Sequence, residues 1–269
     1  MLRLRASSKA LGLLAPRTSL GGARALVPWI SSRPITNTLL TSLAAETAPV
    51  VAAAAPLVGP TAVKFLQISP PIAGQILFIS PMQAMRQFKA DGTTGDVSPI
   101  PYAAMAANGF AWTTYGYLGG DYTIITANVS GCLLGLYYCQ QFYQYRSPAA
   151  VVLPYYGGGA AFCASAAAAA AMLPTAQAQT LIGYGGVAVC LAMFSGPLAS
   201  IQAVIRDKSA ASIPFAFTLA STANCTLWTS YGALVIHDPF VYGPNGLGLV
   251  ASIVQLGLLA RFGTGAVPK

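Results

Sequence analysis

The chain has 269 residues, of which 55% are hydrophobic and 7% charged, with a formal net charge of +8. Soluble domains carry roughly 25% charged residues, so charges this sparse do not cover a water-facing surface and lipid must solvate much of the protein. The 14 Lys and Arg divide between an N-terminal leader and short loops, with no basic face interleaved with aromatics, which argues against nucleic acid as a partner.

Residues 1–41 differ in kind from the rest. They hold Arg3, Arg5, Lys9, Arg17, Arg24 and Arg33, many Ser, Thr and Leu, and no acid before Glu46. That is the composition of an organellar presequence; a basic tail without fixed structure has it too, and both readings stay open. Residues 44–60 read as an Ala- and Pro-rich linker.

Apolar runs follow, each near the length of about 20 residues that crosses a hydrocarbon core. The spacing predicts spans over 65–85, 100–118, 122–145, 151–173, 181–205, 213–236 and 241–260. The fourth is the least hydrophobic, with Gly157–Gly159 and the Ala166–Ala171 run suited to close helix packing. Lys and Arg fall after spans one, three, five and seven (Arg86, Lys89, Arg146, Arg206, Lys208, Arg261, Lys269) and not after two, four or six. Under the positive-inside rule this alternation describes seven helices ending in the cytoplasm. It places Lys64 and the leader on the far side, contrary to the rule unless the leader is cleaved or addressed to an organelle.

The chain also repeats itself. Subtracting 116 places Pro197 on Pro81, Asn224 on Asn108, Trp228 on Trp112, Tyr231 on Tyr115 and Gly232 on Gly116. One inserted residue near His237 raises the offset to 117, and then Asp238 falls on Asp121, Asn245 on Asn128 and Gly248 on Gly131. A duplication of this length is an architecture. Each copy holds three spans and so ends on the opposite side from its start; two copies in the same orientation need one crossing between them. The expected fold is therefore an all-α membrane protein with seven transmembrane helices, two parallel three-helix repeats joined by a linker helix. Its parts are a leader and linker (1–60), a first repeat (61–146), a linker helix (147–175), a second repeat (176–263) and a short tail (264–269).

Cys132, Cys139, Cys163, Cys190 and Cys225 lie in apolar runs without a CxxC pair and read as small buried hydrophobes. The single histidine, His237, has no second His or Cys cluster near it, so neither a metal nor a cofactor is expected.

The motifs Ser80-Pro81, Pro101-Tyr102, Asn108, Trp112-Thr-Thr-Tyr115-Gly116, Asp121 and Asn128-Val-Ser-Gly131 resemble the SWEET sugar transporters, also called the nodulin–saliva family. So do Gly196-Pro197, Ile213-Pro214-Phe215, Trp228-Thr-Ser-Tyr231-Gly232, Asp238-Pro239-Phe240 and Pro244-Asn245-Gly246 in the second copy. The likeness runs over about 65–262. Parallel repeats in SWEETs are an example general accounts of transporters already give. The chain departs from the family pattern at Pro70-Pro71, expected at the start of span one, and in a longer first loop with Asp91 to Asp96. Pro101 also stands 20 residues after Pro81, whereas Pro214 stands 17 after Pro197.

Asn128 and Asn245 occupy equivalent depths. An amide there needs a partner; it either bonds a facing helix or presents one acceptor and two donors to sugar hydroxyls. The resemblance implies the sugar. Trp112 and Trp228 can stack an indole on the C–H face of a pyranose or sit in an interfacial belt, and the resemblance implies sugar contact, more firmly for Trp228. It also implies a hinge set of four prolines, Pro81, Pro101, Pro197 and Pro214, where missing N–H donors let helices bend. Finally, it implies an outer gate joining Tyr115 to Asp238.

No ionisable residue lies within the expected spans, where proton-coupled carriers place relays. The expected activity is facilitative, bidirectional transport of mono- or disaccharides by alternating access, not enzymatic chemistry. A carrier of the proline-glutamine-loop type for amino acids shares the helix plan, and a seven-helix receptor is the alternative of another class. Expected partners are a sugar and the bilayer, with self-association left open. The leader suggests an organellar membrane, while the family resemblance implies the plasma membrane or an endomembrane.

Overall fold

The computed structural model describes residues 58–193 and 195–263. The leader, most of the linker and the tail lie outside the described residues.

Nine helices form the described chain: α1 (Pro60–Ile79), α2 (Met82–Asp91), α3 (Ile100–Gly119), α4 (Tyr122–Tyr145), α5 (Leu153–Met172), α6 (Thr175–Met193), α7 (Ser195–Asp207), α8 (Phe215–Leu234) and α9 (Pro239–Phe262). They make seven spans: α1 and α2 together form the first, and α6 and α7 lie along the fifth on either side of residue 194, which is outside the described residues. The expected uninterrupted first span is corrected here. Pro81 has no N–H for the Leu77 carbonyl, and that carbonyl accepts instead from the Ser80 backbone N–H at 3.2 Å and its hydroxyl at 2.7 Å. The carbonyl of Phe78 accepts from the hydroxyl of Tyr138, a fully buried residue on α4, at 2.9 Å. The helix therefore stops and restarts with the Leu77 and Phe78 carbonyls both partnered.

Two consequences differ from the sequence reading. Arg86 and Lys89, expected in a loop, are exposed side chains on α2, whose Met85 and Phe88 pack with Tyr102, Met105, Tyr138 and Phe142. The first span begins at Pro60, inside the expected linker, so Pro70-Pro71 lie mid-helix and Lys64 lies in the first turns. The fifth span likewise begins at Thr175, ahead of residue 181.

Within each repeat the third span packs between the other two: α4 lies between α1 and α3, and α9 between α6–α7 and α8. The repeats meet through α3 on α6 and α1 on α8, contacts that exchange under the 116-residue offset. The linker helix α5 rests on α3 and α6. Phe65, Ile68, Ile72, Ile76 and Ile79 stand exposed on α1 at helical spacing, an outward apolar stripe suited to lipid. By length and composition alone, the stretches Pro60–Asp91, Thr175–Asp207 and Pro239–Phe262 are apolar enough to cross a membrane. In α3, α4, α5 and α8 the Asn, Gln, Ser, Thr, Tyr and Gly residues lower that average.

At the rim that carries the Lys and Arg, Thr94 N–H donates to the Tyr145 carbonyl and Ala210 N–H to that of Gly263, fixing the loop inside each repeat. Helices α2 and α3 end on Gly92 (φ 69°) and Gly120 (φ 68°); their counterparts in the second copy, Lys208 (φ 53°) and His237 (φ 51°), take the same left-handed backbone with a side chain attached. The extra residue expected near His237 is absorbed at that turn.

Candidate functional site

A cavity of about 140 Å³ lies between the repeats, lined by Gly74, Leu77, Phe78, Asn108, Trp112, Ile124, Ala127, Asn128, Cys190, Asn224, Trp228, Val241 and Asn245. Its lining is nearly two-fold. The offsets pair Gly74 with Cys190, Asn108 with Asn224, Trp112 with Trp228, Ile124 with Val241 and Asn128 with Asn245.

Asn128 and Asn245 meet there, as expected. Neither amide bonds a facing helix. Asn128 Nδ2 donates to the Ile124 carbonyl of its own helix at 2.9 Å, and Asn245 Nδ2 to that of Val241 at 2.8 Å. Each back-bond fixes the rotamer and uses one of three hydrogen-bonding positions. The acceptor and second donor remain for a ligand.

Trp112 and Trp228 also line the cavity, each buried and edge-on to its neighbouring tyrosine, Tyr115 at 5.3 Å and Tyr231 at 5.9 Å between centroids. They are inner-wall side chains, not members of an interfacial belt. Trp112 reaches this position because Gly186 of α6 leaves room: a Cβ there would lie 3.0 Å from the indole.

Two further asparagines, a pair under the 116-residue offset, also line the cavity. Asn108 Oδ1 accepts from Trp112 Nε1 at 3.1 Å and from the Cys190 thiol at 3.3 Å. The equivalent Asn224 Oδ1 is buried without a partner, with Gly74 standing where the other side has the Cys190 thiol. The 116-residue offset already paired Asn108 with Asn224; only packing shows that they face the axis. Cys190, taken as a buried hydrophobe, is likewise a cavity residue.

The prolines do not occupy equivalent settings. Pro81 is the N-cap of α2, whereas Pro197 lies within α7 and its carbonyl accepts from Gln255 Nε2. Pro101 is in the first turn of α3 and Pro214 is the N-cap of α8, positions where proline costs a helix little. At the rim opposite the Lys and Arg, the Tyr115 hydroxyl donates to Asp238 Oδ2 at 2.7 Å, so the expected gate pair is in contact. No group of His, Cys, Asp or Glu suited to a metal occurs among the described residues.

Comparison with known proteins agrees with this geometry. A family described as sugar efflux transporters for intercellular exchange matches residues 66–150 and 180–263, the two repeats without the linker helix. The chain is 31% identical to the bidirectional sugar transporter SWEET2a of Oryza sativa subsp. indica over 205 residues, 72% of this chain and 84% of that one. It is 24% identical to the sugar transporter SWEET1 of Mus musculus over 189 residues, 69% and 85% of the two chains. A solved structure of a eukaryotic SWEET transporter superposes with a TM-score of 0.67 at 25% identity, over 76% of this chain and 99% of that one. Two matched repeats, 31% identity to a curated member and a common fold place this chain in the SWEET family.

Proposed function

We propose that the protein moves a mono- or disaccharide down its gradient, in either direction, by alternating access around the axial cavity. The observation that carries this reading is the lining itself: paired asparagine amides with free hydrogen-bonding positions between two indoles, and no carboxylate, imidazole or ammonium among the described lining residues. Such a wall suits a neutral polyhydroxyl ring with apolar C–H faces and offers no group for proton coupling.

In this reading Asn128, Asn245, Trp228 and Trp112 hold the sugar, joined by Asn108 and Asn224. Bending concentrates at Pro81, where the first span is already divided, and at its repeat mate Pro197, and Pro101 and Pro214 give rigid helix starts. The Lys- and Arg-bearing loops and the C-terminus face the cytoplasm, or its organellar equivalent if residues 1–41 act as a presequence. A fusion of residues 1–57 to a fluorescent reporter tests that address; uniform cytosolic signal would refute the presequence.

The deciding experiment is uptake of a sugar panel by proteoliposomes holding the protein. Sugar entry is expected to saturate and to proceed without a proton gradient. Saturable uptake that survives Asn128→Ala together with Asn245→Ala overturns the site; uptake abolished by collapsing an imposed proton gradient overturns the facilitator.

A further inference from the structure

The contact between Tyr115 and Asp238 has a symmetry mate. Tyr231, equivalent to Tyr115, donates its hydroxyl to Asp121 Oδ2 at 2.8 Å, and Asp121 is equivalent to Asp238. Each bond crosses between repeats: one ties the end of α3 to the start of α9, the other the end of α8 to the start of α4. Both tyrosines are at least 96% buried and the two aspartates half-buried, and a phenol donating to a carboxylate makes a charge-assisted hydrogen bond, stronger than a neutral one.

The carboxylates are anchored independently of the phenols. Asp121 Oδ1 accepts from the Ile124 N–H at 3.0 Å and Asp238 Oδ1 from the Phe240 N–H at 2.9 Å, so each acid caps the helix it begins. Because Asp121 N–H and Asp238 N–H also donate to the carbonyls of Gly116 and Gly232, each acid is held at the turn of its own repeat. When the repeats part, the carboxylate stays and the phenol leaves. A cavity of about 210 Å³ beside the latch, lined in part by Tyr115, Asp121, Gln179 and Asp238, can supply water to the released groups.

We infer that this rim is closed by a double reciprocal latch, and that Tyr231 and Asp121 gate access to the cavity equally with Tyr115 and Asp238. Two bonds on opposite sides of the axis hold both seams between the repeats; breaking one leaves the other seam closed. Opening therefore requires both phenols to leave together, which makes the switch cooperative. The inference rests on the carrier reading, and its test does not use sugar.

The cavity contains a native reporter, the thiol of Cys190. In a protein whose other cysteines are replaced by Ala, a small membrane-impermeant methanethiosulfonate reagent is added on the latch side of sealed, oriented vesicles, and the rate of Cys190 labelling is measured. Tyr231→Phe, which removes only the hydroxyl, is expected to raise the rate about tenfold, as Tyr115→Phe does, and the double variant more. If Tyr231→Phe is poorly expressed, Asp121→Asn keeps the helix cap and weakens the latch, and the same increase is expected. Labelling at the parent rate in Tyr231→Phe or Asp121→Asn, with Tyr115→Phe accelerated or not, overturns the double latch. Accelerated labelling in a protein that moves no sugar would remove the proposed function and leave the latch standing.

Discussion

Replacing Gly109 by Ala tests whether the site depends on how closely α3 approaches α4. A Cβ on Gly109 would lie 2.4 Å from the Cys132 nitrogen, 2.8 Å from its Cα and 2.9 Å from the Asn128 carbonyl oxygen. Ordinary contact begins at 3.4 Å, so the nearest approach is 1.0 Å too short. All three atoms are backbone, and no rotamer change relieves them; the helices must separate or tilt. Overpacking of this kind costs about 1–3 kcal/mol. The displaced segment carries Asn128, so its amide moves by roughly the same 1 Å relative to Asn108 and Trp112. Losing one or two sugar hydrogen bonds at about 0.5–1.5 kcal/mol each weakens sugar uptake by about 2-fold to about 150-fold. The control is Gly158→Ala on α5, where a Cβ meets nothing within 4 Å; there Ala should be neutral or stabilise by up to about 1 kcal/mol. Thermal unfolding of purified protein and KM for uptake are the readouts. A Gly109→Ala protein that matches Gly158→Ala in both would refute the reasoning.

Lys208→Gly and His237→Gly relieve left-handed backbone that the first copy gives to glycine; each should stabilise by about 1 kcal/mol, read as a raised Tm, and a fall in Tm for both would contradict the strain assignment. Tyr138→Phe removes the donor to the Phe78 carbonyl at the break in the first span. It should cost about 1–3 kcal/mol, the penalty for a buried acceptor left unsatisfied, measured by thermal unfolding against wild type. Asn108→Leu strips partners from the Trp112 indole and the Cys190 thiol. Sugar KM should rise several-fold with little change in expression, and an unchanged KM would remove Asn108 from the site.

Much of the fold was legible before any coordinates, because lipid solvation leaves a compositional record and a duplication leaves a periodic one. Span positions came within a few residues for α3, α4 and α8. At Pro81 the expected bend is a full break, after which residues 82–91 continue the span as the short, more polar α2. What breaks the helix there is a hydrogen-bond account involving Ser80 and the distant Tyr138. The candidate site was legible where polarity is conspicuous, at Asn128, Asn245, Trp112 and Trp228. Asn108 and Asn224 were visible as a repeated pair, but nothing local says which face of a helix lines an axis.

The sequence by itself determined the membrane class, the two parallel repeats with their connecting helix, and the pairing of residues across them. Those properties follow from solvent and from copying, and each leaves a mark readable along one dimension. Only the tertiary structure decided which paired residues meet. It turned the amides of Asn128 and Asn245 back on their own helices and left Asn224 opposite Gly74 without a partner. It also closed one rim with two tyrosine–aspartate bonds spanning 123 and 110 residues of chain. Contacts over such separations depend on helix rotation and crossing distance, which are set by packing in three dimensions.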